Sequence, residues 1–201
     1  MKRLNVYYEK ILVGYLTEND KQELCFTYTA EWLQYDRAIA LSSNIYLSEK
    51  IFYGENVQSF FENLLPEGDI LDFISQAVHI SSNNVFGLLE RFGGDTAGAF
   101  SILPEAIKPA TDSHYLPVEK QQIREWFQQT KGLPLNLNGE QSRMSLSGAQ
   151  DKMTVLIDAA GVISIPLGAA ASTHIIKPSI NHRLDIPHTA INELMLRSSR
   201  L

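Results

Sequence analysis

The sequence predicts an α+β chain in two parts, and three observations predict it. β-branched and aromatic residues recur in short runs near the N-terminus, in 4–16 and 24–33. Between residues 57 and 89, apolar residues fall at helical spacing instead. Strand signals return in 153–177, beyond a stretch punctuated by proline. Strands, then helices, then strands again is the order of an α+β chain, not of alternating βαβ units.

The first run, LNVYYEKILVGYL at 4–16, gives two short strands. Val6, Tyr8, Ile11 and Val13 suit a half-buried pleat, and Glu9-Lys10 marks the turn. Residues 24–33 alternate through Phe26 and Tyr28 before the apolar pair Trp32-Leu33, which reads as a strand and a turn. Residues 38–47 are mixed and are read as a place for a further strand. Val57, Phe60, Phe61, Leu64 and Leu65 then line one side of a helix closed by Pro66 and Gly68. Asp69 to Val78 resumes the period with Ile70, Leu71, Phe73, Ile74 and Ala77. Ser81-Ser82-Asn83 is expected to cap a third helix carrying Val85, Phe86, Leu88 and Leu89. Gly93-Gly94-Asp95 breaks the pattern, and 97–103 (AGAFSIL) reads as a strand of small residues.

Residues 104–117 hold Pro104, Pro109 and Pro117 with little periodicity and form the linker candidate. A helix over 117–132 follows, with Ile123, Trp126 and Phe127 on one side, and then a loop over 133–141. MTVLID and VISI, within 153–165, are two strands joined at Ala159-Ala160-Gly161. Thr173 to Lys177 is a third, stopped by Pro178. After a polar loop over 180–189, a last helix is expected from Thr189 or Ala190. The expected organisation is 1–104, a linker and helix over 105–140, and 141–201.

Composition removes several classes of function. With 201 residues, 44% of them hydrophobic and 20% charged, the chain is long enough for a full core without metal or disulfide staples. The formal net charge of −6 lacks the basic face of a free-standing nucleic-acid binder. A single cysteine, Cys25, cannot form an intramolecular disulfide, which points to an intracellular, cytoplasmic chain. No apolar run approaches the roughly 18 residues of a membrane span. The basic start MKRLNVYYEK has no apolar core of a signal peptide. His79, His114, His174, His182 and His188 show no ligand spacing, so no metal site is expected. Glu62, Glu67 and Asp69 do not suggest a glycosidase pair, and Gly93-Gly94 reads as a strand-entry turn.

Three stretches carry the chemistry. In 143–152 (RMSLSGAQDK), small residues before a strand let backbone N–H groups approach phosphates, and Lys152 adds charge. The Walker spacing GxxxxGK[ST] is absent, and by itself the stretch reads as a polar turn before a strand. In 173–178 (THIIKP), Lys177 shares a strand face with Ile175, where it is placed to pair a nucleotide phosphate. Alone, it is a lysine reaching water from a strand end. Glu193, in the last helix, stands where a helix glutamate holds a strand lysine in kinase folds; isolated helix glutamates are usually just solvated.

Taken together, these stretches resemble the N-terminal half of a HipA-family serine/threonine-protein kinase toxin of type II toxin–antitoxin modules. The resemblance runs nearly end to end. It rests on Phe60-Phe61-Glu-Asn-Leu-Leu-Pro66, on 86–100 (FGLLERFGGDTAGAF), on 145–152 (SLSGAQDK) and on 173–178 (THIIKP). It implies an N-terminal HipA-like subdomain of strands and short helices, then the strand-rich start of the ATP lobe of a kinase-like fold, truncated.

The residue roles follow from that resemblance. Ser147, Gly148, Ala149, Gln150, Asp151 and Lys152 match the family's ATP-phosphate loop, and Ser145 its autophosphorylated serine. Lys177 matches the nucleotide-contacting lysine and Glu193 its helix partner, while Phe60, Leu64 and Leu65 are expected in the core. The implied cofactors are ATP and Mg²⁺. The implied partner is a HipB-like DNA-binding antitoxin, or a separate kinase core. The family's catalytic aspartate and metal ligands belong to a C-terminal half that these residues do not include, so no catalytic residue is assigned and turnover by this chain alone is not expected. Half of a two-lobed fold would also leave an apolar face that calls for a partner. The alternative expectation is a non-catalytic, antitoxin-like module that restrains a separate kinase core, or a truncated remnant.

Overall fold

The computed structural model describes residues 2–96, 99–129, 136–137, 140–141 and 152–178. Its mixed strands and short helices bear out the α+β class. Five strands form the first sheet: β1 (Arg3–Tyr8), β2 (Ile11–Glu18), β3 (Leu24–Tyr28), β4 (Phe52–Tyr53) and β5 (Phe100–Pro104). Their order is β4-β3-β2-β1-β5, with every neighbouring pair antiparallel. The register explains the apolar alternation. Phe52 pairs with Phe26, Phe26 with Leu16, and Leu16 with Leu4, so one row of large apolar residues crosses four strands. All four are buried. The opposite row, Tyr53-Cys25-Thr17-Arg3, turns away from that core.

Helices α1 (Ala30–Leu33), α2 (Glu55–Glu62), α3 (Gly68–Val78) and α4 (Val85–Phe92) supply the other half of this core. Phe61, Leu65, Ile74, Val85, Phe86, Leu88 and Leu89 join the sheet residues in one cluster. The ring of Phe61 lies 6.0 Å from that of Phe26. Phe60 and Leu64 pack at its margin, as the core reading expects.

Local chemistry corrects several sequence expectations. Residues 24–33 are a strand and then a turn, as expected, and the turn over 30–33 is helical. Thr29 caps it, its hydroxyl accepting from the Trp32 N–H at 3.1 Å and donating to the Leu12 carbonyl at 3.0 Å. Residues 38–47 hold only an isolated bridge, Ser42 to Ile45; the strand of this region is β4. The Tyr28 hydroxyl organises that segment. It accepts from the Leu41 N–H at 2.8 Å and donates to the Ile45 carbonyl at 2.5 Å. Burial raises the Tyr28 pKa, and the Leu41 hydrogen bond partly opposes the rise. The cap of α4 is Asn84, whose side-chain oxygen accepts from the Gly87 N–H at 2.8 Å. Ser81 instead closes the turn before it, accepting from Asn84 N–H. The expected strand over 97–103 is β5, and residues 97–98 lie outside the described residues. Gly93 is required beneath it, because a Cβ there would sit 2.4 Å from the Ile102 carbonyl oxygen.

A second sheet has the order β11-β9-β10-β6, again antiparallel. Its strands are β6 (Ser113–Pro117), β9 (Met153–Ile157), β10 (Ile163–Gly168) and β11 (His174–Ile176). β6 corrects the reading of 104–117 as irregular linker. Four of its five residues are exposed, so no apolar alternation marks it; pairing with β10 makes it a strand. Between β6 and β9, α5 (Lys120–Gln129) lays Ile123, Trp126 and Phe127 against Met153, Val155 and Ile157. The loop expected over 133–141 contains a small ladder, β7 (Asn136–Leu137) with β8 (Glu140–Gln141). The helix expected from Thr189 or Ala190 lies outside the described residues.

Candidate functional site

The site is built from the ends of two adjacent strands. β11 pairs with β9 through His174 and Val155, Ile175 and Thr154, and Ile176 and Met153. One step further along the same ladder stand Lys177 and Lys152. Residues separated by a turn, a strand and a loop in sequence therefore come to the same end of one ladder, Lys152 just before β9 and Lys177 just after β11.

The pleat decides which way this end faces. Met153 is buried and Ile176 packs with it in the core that α5 covers. Ile175, on the other face, is 51% exposed. Lys177 and Lys152 follow Ile175 and Thr154 by the period of two, on the face away from α5. Lys177 is exposed and Lys152 half-buried.

The opposite end of this ladder is tied by side chains. The Thr173 N–H donates to the Val155 carbonyl at 2.9 Å, and its hydroxyl accepts from the Ile157 N–H at 3.1 Å. Asp158 ties the β9–β10 hairpin, accepting from the N–H groups of Ala160 and Val162 at 2.9 Å each. Gly161 completes that turn at φ 79°. A lysine ammonium is a point charge of the kind that contacts phosphate oxygens.

Ser145, Ser147, Gly148, Ala149, Gln150, Asp151 and Glu193 lie outside the described residues. Among the described residues no group of three or more His, Cys, Asp or Glu is placed to hold a metal ion. Cys25 has its thiol pKa raised by burial and by the nearby Glu23 carboxylate, which disfavours the nucleophilic thiolate. No described helix is long and apolar enough to cross a membrane.

Residues 4–103 match the family described as the HipA N-terminal domain, a span that coincides with the first sheet and its helices. The chain belongs to the HipA family. It is 34% identical over 196 residues to the putative kinase Y4mE of Sinorhizobium fredii, covering 94% of this chain and 46% of that protein. It is 28% identical over 169 residues to the serine/threonine-protein kinase toxin HipA of Shewanella oneidensis, covering 84% of this chain and 36% of that one. This HipA-family chain thus spans less than half the length of these curated relatives. The fold is shared with a chain in the solved complex of HipA, HipB and operator DNA from Shewanella oneidensis MR-1. The TM-score is 0.65 at 24% identity, covering 89% of this chain and 41% of that chain. Kinship reaches past residue 103, because the match to Y4mE takes in most of the second sheet's share of the sequence as well.

Proposed function

We propose that this chain supplies the N-terminal subdomain, 1–104, and the ATP-phosphate strands, within 141–201, of a HipA-like serine/threonine kinase toxin. The observation that supports it is that Lys152 and Lys177 come to the same end of the β9–β11 ladder in a HipA-family chain. In this reading the backbone of Ser147 to Asp151 and the Lys152 ammonium hold the ATP phosphates. Lys177 holds them from the neighbouring strand, and Glu193 orients Lys177. ATP, with its Mg²⁺, supplies the phosphoryl group. The lysine pair fits its negative charge, while the metal would rest on the phosphates and on ligands beyond the described residues. Ser145 is the modification site. A phosphate there adds nearly two negative charges beside the loop that must accept ATP, so it switches nucleotide binding off. The partner is a HipB-type DNA-binding antitoxin in the cytoplasm.

Binding of a fluorescent ATP analogue to the full chain tests this reading. A lysine–phosphate contact near a protein surface is worth about 1–4 kcal/mol, so Lys177→Ala and Lys152→Ala should each weaken binding by about tenfold or more. Unchanged affinity in both variants would remove the nucleotide role.

A further inference from the structure

Beyond the nucleotide reading, the outer edge of the first sheet carries features that no part of that reading uses. Of the ten large apolar side chains that are exposed among the described residues, six fall in 35–53. Four of them surround β4: Ile51 is 60% exposed, Tyr53 70%, Tyr46 48% and Leu47 39%. β4 is the end of its sheet, and no further strand pairs with its far side among the described residues. An open strand edge beside uncovered apolar side chains is a template for an added strand.

The neighbouring groups specify the occupant. Glu49 and Glu55 flank β4 and are exposed. Glu23, exposed at the start of the neighbouring strand, acts on Cys25, which pairs with Tyr53. The end of β2 and the turn after it carry Glu18 and Asp20 against Lys21. Lys50 is the cation of the patch itself, and its ammonium already lies over the rings of Tyr46, at 4.4 Å, and Phe52, at 5.1 Å. Carboxylates outnumber ammonium groups around an apolar edge, in a chain of net charge −6. Such a rim favours cationic side chains and repels acidic ones.

We propose that β4 receives an extended basic segment of a partner protein as an added antiparallel or parallel strand. Alternate apolar side chains of that segment would cover Ile51 and Tyr53, and its Lys or Arg side chains would face Glu23, Glu49 and Glu55. Ile51 and Tyr53 share one face by the period of two, which sets the spacing of the partner's anchors.

The test uses the full chain and the fluorescent peptide KVKIKVKIK, read by anisotropy. Saturable binding is expected, weakened at least about tenfold for EVEIEVEIE and for a KVKIKVKIK variant with proline at the centre, which cannot donate to the ladder. The double variant Ile51→Ser/Tyr53→Ser should lose the binding by a similar factor. Glu49→Gln/Glu55→Gln, which leaves the apolar patch intact, should weaken it and flatten its salt dependence. ATP binding, measured on the same variants, should not change, so failure of the docking surface and failure of the nucleotide reading remain distinguishable. No saturable binding, equal binding of the acidic peptide, or indifference to both double variants would overturn the proposal. So would a dimer in sedimentation that Ile51→Ser/Tyr53→Ser dissolves, since the occupant would then be a second copy of this chain.

Discussion

Replacing Tyr28 by Phe removes one oxygen atom and two hydrogen bonds while keeping the ring. The ring contacts survive the change: Phe26 lies edge-on at 4.8 Å and Phe52 at 6.1 Å. The Leu41 N–H and the Ile45 carbonyl lose their tyrosine partner, and both belong to buried residues. Leaving a buried polar group unpaired costs about 1–3 kcal/mol, so two such groups predict a loss of about 2–6 kcal/mol, less whatever water recovers. Urea unfolding followed by the fluorescence of Trp32 measures it. Trp32 is fully buried in the same core, and its indole N–H donates to the Ile39 carbonyl at 3.2 Å in the affected segment. A Trp126→Phe background removes the signal of the second core. Amide exchange gives an independent readout, because Leu41 should lose protection while β1 and β2 lose little beyond the global change. A destabilisation under about 0.5 kcal/mol, within the range of ordinary surface changes, would refute the claim that this hydroxyl holds the segment. Unchanged Leu41 exchange would refute it equally.

The same hydroxyl gives a pH dependence with a definite sign. The folded pKa of Tyr28 is raised above 10.0, so the unfolded chain loses this proton first. Stability from this group is full below pH 10 and falls as the pH rises through the folded pKa; Tyr28→Phe should remove that part of the alkaline decline in urea titrations. Gly93→Ala places a methyl group 2.4 Å from the Ile102 backbone oxygen, which no side-chain rotation relieves. A loss of at least about 2 kcal/mol is expected, read as a lowered thermal midpoint, and a wild-type midpoint would show that α4 can shift off β5 without cost.

What was legible in the sequence follows the reach of each signal. The β1–β2 hairpin, α3 and the β9–β10 turn at Ala159-Ala160-Gly161 are visible because burial on one side imprints a period on adjacent residues. β6 leaves no such imprint, since it is exposed over most of its length and owes its strand geometry to residues 164–168 of β10. The segment 38–47 misleads for a related reason. Its apolar residues are organised by the hydroxyl of Tyr28, a contact that no local period reports. The cap of α4 is a smaller case: Ser81, Ser82, Asn83 and Asn84 all suit a cap chemically, and the backbone geometry selects Asn84.

The sequence by itself determined the α+β class, the HipA kinship and the residue types from which a phosphate site can be made. Those depend on composition, short motifs and local periodicity, which a linear chain displays in full. Only the tertiary structure decided that Lys152 and Lys177 come to the same end of one ladder, that Ile51 and Tyr53 are uncovered at a sheet edge, and that Tyr28 reaches Leu41 and Ile45. Each of these is a matter of register or of contact between distant residues, and a one-residue slip would turn every side chain of a strand to its other face. Register is settled by the simultaneous burial of rows such as Phe52-Phe26-Leu16-Leu4, a condition that exists only once the strands have come together.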